Sequence, residues 1–224
     1  MSKYLHFGQM SPVRIALQVR ATGAGENAET YLEELIVRRE LTMNYVFYER
    51  DYDVYDTLPA WAKATLEEHV GDERQYVYTR DQLADASTHD PYWNAAMREM
   101  RFTGYMHNRM RMYWGKKILE WSATPREGYE TTLYLNDRFF LDGRDANSYA
   151  NVSWVYGLHD RGWTERPVFG KVRYMNAEGL ERKSDPEAYV RKVDELVALV
   201  EAGARLGPRA DEPPVVPSGD ARSR

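Results

Sequence analysis

The chain of 224 residues contains no cysteine. Disulfides, thiolate-bound metals and a cysteine nucleophile are therefore excluded. Its five histidines are scattered without ligand spacing, so no metal is expected. No apolar run approaches the roughly 20 residues a membrane helix needs, and the N-terminus lacks a charged-then-apolar leader. The expectation is a soluble, cytoplasmic protein with no membrane contact. Alternating strand pairs joined by a turn dipeptide are missing, and so are internal repeats. With a net charge of −5 the chain is no general coat for polyanions, although a local basic patch remains compatible with a nucleic-acid surface.

What is present is a core. Hydrophobic residues make up 43% and aromatics 13%, with 17 tyrosines and six tryptophans, which excludes wholesale disorder and suits both packing and pockets for flat ligands. Helix punctuation recurs along the chain. Ser11-Pro12 opens VRIALQVR, and TYLEELIVRRELTMNYVFY reads as one long helix. Pro59 opens AWAKATLEEHV, Thr79 caps RDQLADA, and Asp90-Pro91 opens YWNAAMREMRF, which Gly104 can end. FTGYMHNRMRMYWGKKILEW, residues 102–121, reads as a single helix. Thr124-Pro125 opens REGYETTLYLNDRFF, and Ser184-Asp-Pro opens EAYVRKVDELVALVEAGARL. The fold class predicted is all-α: one helical domain over residues 1–206 and a Pro-, Gly- and charge-rich disordered tail over 207–224. Residues 141–183 are rich in Gly, Asn and Asp, as a loop region near a site would be.

The 102–121 segment poses a question. At about 100° per residue, Arg111, Trp114, Ile118 and Trp121 fall within about 80° of one another, while Arg109 and Lys116 point elsewhere. A tryptophan stripe at this spacing is usually core. A guanidinium on such a stripe cannot shed its proton and needs a carboxylate or an anionic ligand. Asp137, Asp142 and Asp145 in LNDRFFLDGRDANSYANVSW are the downstream candidates.

THDPYWNAAM, TGYMHNRMRMYW, KKILEW, LNDRFFLDGRDANSYANVSW, HDRGW and FGKVRYM together resemble the DNA photolyases, most closely the class II cyclobutane-pyrimidine-dimer photolyases. EELIVRREL and YLHFGQMSP fit as well, so the resemblance runs in order over about residues 4–190. It implies the helical FAD-binding domain of that family. There, light-excited reduced FAD passes an electron to a pyrimidine dimer flipped out of UV-damaged DNA, and the dimer ring splits.

By resemblance, Arg111 pairs with Asp142 beside the flavin ring, where a fixed cation stabilises the reduced anion. Asn136 lies near flavin N5, with helix capping as its alternative. Asp145, Asn147 and Asn94 are implied as further flavin or ribose contacts. Trp114, Trp93 and Trp121 match the photoreduction chain, Trp114 next to the flavin, Trp93 between, and Trp121 near the surface. Glu34, Asn108, Met112 and Trp154 match the lesion pocket, Trp154 as a flat wall for the flipped dimer. A surface pair of Glu34 with Arg38 is the competing reading. Arg109, Lys171 and Arg173 are candidates for phosphate contacts, which position DNA without reading sequence.

Two positions depart from the pattern. Met97 stands where the family usually has glutamine, and Arg38 where class I enzymes have tryptophan. The resemblance also implies an α/β antenna domain and a phosphate-holding Ser/Thr loop ahead of SKYLHFGQMSP. A truncated, monomeric flavin domain is thus the leading expectation. A cryptochrome-type flavin photosensor without repair activity, or an inactive helical fragment, are the alternatives.

Overall fold

The computed structural model describes residues 1–203; the sequence-predicted tail at 207–224 lies outside them. All regular structure there is helical, with one isolated antiparallel bridge between Arg166 and Gly170. Among the described residues no helix is long and apolar enough to cross a membrane.

The N-terminal part comprises α1 (Ser2–His6), α2 (Pro12–Ala21) and a continuous helical run from Glu26 to Tyr48. Ser11 caps α2 by accepting from the Arg14 amide. The long run is not uniform, as its sequence suggested. It is α-helical as α3 (Glu26–Leu32), widens to a π-helix over Glu33–Arg38, and resumes as α4 (Arg39–Tyr48). Such wide turns often mark functional sites. After α5 (Ala60–Glu68), Thr79 and Gln82 form a capping box at the start of α6 (Arg80–Ala84).

The predicted single helix over 102–121 is two helices. α7 (Pro91–Thr103) ends at Gly104, whose φ of 65° is left-handed, and α8 (Asn108–Trp121) begins after the His107 cap. A side chain at position 104 would collide with Leu141, whose Cγ lies 2.3 Å from the site of a Cβ. Both the backbone conformation and the close packing require glycine there. α9 (Pro125–Phe139) and α10 (Ala146–Val155) then pack against α8, with Gly115 bringing α8 close to Val155. α11 (Ala177–Glu181) and α12 (Pro186–Glu201) complete the described fold, α12 covering α7 through Val193 and Val197.

α8 lies at the centre. One face supplies Met110, Tyr113, Trp114, Ile118 and Trp121 to a core shared with Trp93, Met97 and Met100 of α7. Leu119 belongs to a second core built with Tyr129, Val152, Tyr156 and Phe169. Met97, the departure from the family pattern, is fully buried in the first of these.

Candidate functional site

α8 and the turn after α9 meet through charge. Arg111 Nη2 donates to Asp142 Oδ1 at 2.9 Å and Oδ2 at 3.1 Å. Asp142 is buried, whereas Arg111 keeps 27% of its side chain exposed, more than the apolar stripe implied. The guanidinium carbon sits 3.8 Å from the centroid of Phe140, and Phe140 meets Trp114 edge-on at 6.1 Å and 81°. The turn is held by the Gly143 amide on Phe140 O (3.1 Å), the Arg144 amide on Asp137 Oδ1 (3.1 Å) and Ser148 Oγ on Asp142 O (2.8 Å). Asn136 is buried beside it. Its Nδ2 donates to Asp137 Oδ1 at 3.0 Å, and its side-chain oxygen accepts no hydrogen bond among the described residues.

The indoles form a series. Trp93 Nε1 donates to Trp114 O at 3.0 Å, and the rings of Trp93 and Trp121 meet at 5.7 Å and 66°. Trp114 Nε1 is buried and has no hydrogen-bond partner among the described residues. Asp90 sets the geometry from both ends. Its Oδ1 caps α7 through the Tyr92 and Trp93 amides at 2.9 and 3.0 Å, while its Oδ2 accepts from the Tyr113 hydroxyl of α8. Burial, with the charge of Asp90, pushes the Tyr113 hydroxyl far above its ordinary pKa, so it stays a donor. Trp121 is not at the surface: only 2% of it is exposed. Tyr78 at 5.5 Å and His89 at 5.1 Å cover its ring, and Tyr76 stacks on His89 at 3.7 Å, these last two being exposed. Tyr76 and Tyr78 precede α6 and His89 follows it, so these rings meet Trp121 only in the fold.

Asn94, Asp145 and Asn147 have intrachain partners. Asn94 Oδ1 accepts from Thr88 N and Oγ1 at 3.1 and 2.7 Å, and its Nδ2 donates to Thr88 O at 2.8 Å, latching the loop before α7. Asp145 caps α10 through the Asn147 amide at 2.9 Å and binds His6 Nδ1 at 3.0 Å. Burial opposes its charge, but the hydrogen bonds from Asn147 and His6 prevail and hold its pKa low. Asn147 donates to Asp145 at 2.9 Å and accepts from Thr42 Oγ1 at 3.1 Å, tying α4 to α10.

Among the described residues, the side chains of the predicted lesion residues have no such commitments. Glu34 (in the π-helix) and Asn108 are exposed, Met112 and Trp154 half-buried. Arg38 approaches Glu33 at 3.6 Å instead of Glu34. Among the cations, Arg109 is exposed and donates to Lys183 O. Lys171 is exposed, 3.7 Å from Glu165. Arg173 donates to Asp160 from Nε and Nη2 at 3.0 and 3.3 Å and lies 4.5 Å over Trp163. Asp160 also accepts from Trp163 Nε1 at 3.2 Å and the Arg161 amide at 2.9 Å. These hydrogen bonds outweigh its burial and keep its pKa low.

Sequence reasoning missed Phe140 and Lys116. Phe140 ends an unremarkable aromatic pair, and only the fold puts it between Arg111 and Trp114. Lys116, off the tryptophan stripe as its spacing implied, is nevertheless completely buried and donates to Val155 O. Burial lowers its pKa to about 7, with Asp160 opposing that shift.

The chain matches the family described as the FAD binding domain of DNA photolyase over residues 31–204. It is 57% identical over 197 residues to the deoxyribodipyrimidine photo-lyase of Methanothermobacter thermautotrophicus, covering 88% of this chain and 44% of the relative. The enzyme of the same name from Oryza sativa subsp. japonica is 47% identical over 217 residues, covering 96% and 42%. That of Arabidopsis thaliana is 46% identical over 202 residues, covering 89% and 41%. The chain thus spans less than half the length of these curated relatives. Helical structure throughout the described residues, a part-buried arginine–aspartate pair beside a run of indoles, and a match over most of the chain lead to one assignment: the protein belongs to the family of DNA photolyase FAD-binding domains.

Proposed function

We propose that residues 1–206 form the FAD-binding, catalytic domain of a class II cyclobutane-pyrimidine-dimer photolyase acting on UV-damaged DNA. The observation that carries this reading is the junction at Phe140. There the Arg111–Asp142 pair and the first of three consecutive indoles meet on one ring.

The donor set suits a flavin. Arg111 uses only Nη2 on Asp142 and so has N–H groups left for ring carbonyls. Asn136 keeps its side-chain oxygen free, and the Trp114 indole N–H is a buried donor in search of an acceptor. FAD, when bound, supplies the light-driven electron that opens the dimer. Arg111 holds positive charge where the ring becomes electron-rich, and Asp142 fixes that guanidinium. Trp114, Trp93 and Trp121 carry electrons inward. Asp145, Asn147 and Asn94 position the backbone around the cofactor through their partners.

For the lesion, Glu34 and Asn108 offer unengaged polar groups to pyrimidine edges, and Met112 with Trp154 supplies apolar walls for the flipped dimer. Arg109 and Lys171 are exposed cations for phosphates, while Arg173, held by Asp160, steadies the Trp163 loop. The reading needs one copy of the chain and no metal.

The test uses purified protein titrated with FAD and then, after chemical reduction, mixed with an oligonucleotide carrying one cyclobutane dimer. Blue light should restore the two pyrimidines, and a dark control should not. Flavin binding without repair favours the cryptochrome-type photosensor. Absence of any flavin spectrum at saturating FAD removes the cofactor from this chain.

A further inference from the structure

Trp154, half-buried in the last turn of α10, stands between neighbours held from two sides. Ser153 Oγ meets the Tyr129 hydroxyl at 3.1 Å, and the Tyr156 hydroxyl meets Thr132 Oγ1 at 2.9 Å, both partners being on α9. From α8, Lys116 Nζ donates to the carbonyl oxygen of Val155, the last residue of α10. Gly115 lets the two helices meet there, since a Cβ at its position would lie 3.0 Å from Val155 Cγ2. Lys116 is completely buried, and Val155 O is its one hydrogen-bond acceptor among the described residues. Lysine is almost never fully buried without a partner. This one sits at a helix C-terminus, where orphan carbonyls and the negative end of the dipole favour a cation. Two further charges act on it, Asp160 holding its proton and Arg173 opposing, both on the segment after α10.

We propose that Lys116 is a positioning residue for lesion recognition: as an ammonium it draws the end of α10 and the Asp160 segment onto α8, and so sets Trp154 against the flipped dimer. The inference rests on the proposed place of Trp154 in the lesion pocket. Of the three contacts around Trp154, only that of Lys116 changes charge near neutrality. Burial pushes the Tyr129 and Tyr156 hydroxyls far above their ordinary range, whereas it lowers the Lys116 amine to about 7. When that proton passes to solvent, the amine no longer attracts Asp160, which is then left to Arg173.

Two arms test this. The first needs neither flavin nor DNA. Protein is labelled with 5-fluorotryptophan, and the Trp154 fluorine signal is identified by its loss in Trp154→Phe. That signal should shift with a midpoint near pH 7 in wild type and stay fixed in Lys116→Met. Asp160→Asn should keep the shift but lower its midpoint, and it leaves the buried amine in place should Lys116→Met fail to fold. His159, exposed on the same segment, is the competing titratable group, and His159→Gln should leave the midpoint unchanged. In the second arm, FAD-loaded protein is titrated in the dark with dimer-containing and undamaged duplexes from roughly pH 6 to 8.5, so that phosphate contacts cancel in the ratio of affinities. Wild type should lose roughly fivefold in dimer preference across that range, and Lys116→Met should hold the alkaline wild-type value throughout. A Trp154 signal that titrates equally in Lys116→Met, or a wild-type preference independent of pH, overturns the proposal. Absence of any dimer preference sinks the proposed function and the recognition role with it, while the fluorine arm still decides whether Lys116 sets Trp154.

Discussion

The indole N–H of Trp93 donates to the backbone carbonyl of Trp114, 3.0 Å away and 21 residues along the chain. One hydrogen bond thus docks the middle indole of the series against the helix carrying the other two. Its position is fixed again by Asp90, which caps the helix of Trp93 and accepts from the Tyr113 hydroxyl beside Trp114. Relative placement of the rings is therefore a property of the α7–α8 packing, not of a mobile loop.

Trp93→Phe should interrupt this series at modest structural cost. The lost hydrogen bond is worth about 0.5–1.5 kcal/mol, and the smaller ring adds a cavity term. Light-driven reduction of bound flavin, followed by its absorbance, should fall to background. Dimer repair by chemically pre-reduced protein should persist. Photoreduction at the wild-type rate in this variant would rule out the assigned route.

Asp90→Ala should be among the more damaging single changes near the site. It removes a helix cap, about 0.5–2 kcal/mol, and strands the buried Tyr113 hydroxyl, a further 1–3 kcal/mol or so. Tyr113→Phe takes away the hydroxyl together with its need for a partner, and should cost less. Urea unfolding of the two variants decides the matter: equal losses would show that Asp90 does not couple α7 to α8.

Arg111→Ala should leave Asp142 as a buried carboxylate without its cation. Breaking a fully buried pair costs about 3–5 kcal/mol. Because 27% of the Arg111 side chain is exposed, water can reach the gap and the lower end is expected. A double-mutant cycle with Asp142→Asn should show clear coupling. Additive effects would mean that the 2.9 Å contact carries no net energy.

Stability should depend on pH through two groups of opposite sign. His69 binds Asp72 at 2.6 Å and Glu165 at 3.1 Å, and these hydrogen bonds raise its pKa. Its contribution is complete below the ordinary histidine value near 6.5 and is lost as pH rises through the higher folded value. Lys116 works the other way. Its folded pKa near 7 lies below its unfolded value, so the unfolded chain holds more protons between about 7 and 10.5. Stability therefore rises across that window, by at most about 1.4 kcal/mol per pH unit. Melting temperatures of Lys116→Met should lose the alkaline rise, and those of His69→Gln the decline above pH 6.5. A Lys116→Met profile parallel to wild type would show that the buried amine does not titrate there.

Much of the local structure was legible because its causes lie within one turn. Asp90-Pro91, Thr124-Pro125 and Ser11-Pro12 each join a capping side chain to a proline preset for the first turn, and each opens a helix in the fold. Gly104 signalled a stop for the same local reason. The single-helix reading of 102–121 gave more weight to the continuous pattern of large residues than to that glycine. The π-helix at 33–38 had no comparable mark, since a wide turn is chosen by packing on both sides of it.

By itself, then, the sequence determined the helical class, most helix starts, the motifs of the family and the demand of Arg111 for a counter-charge. Each follows from short-range chemistry or from residue types in order. Only the tertiary structure decided which acid met that demand: Asp142, 31 positions away. It also placed Phe140 between the ion pair and the indoles, covered Trp121 with Tyr78 and His89, and buried the Lys116 amine. Burial and electrostatic partnership depend on groups far apart in the chain. A single helix face cannot reveal which neighbour will close over it.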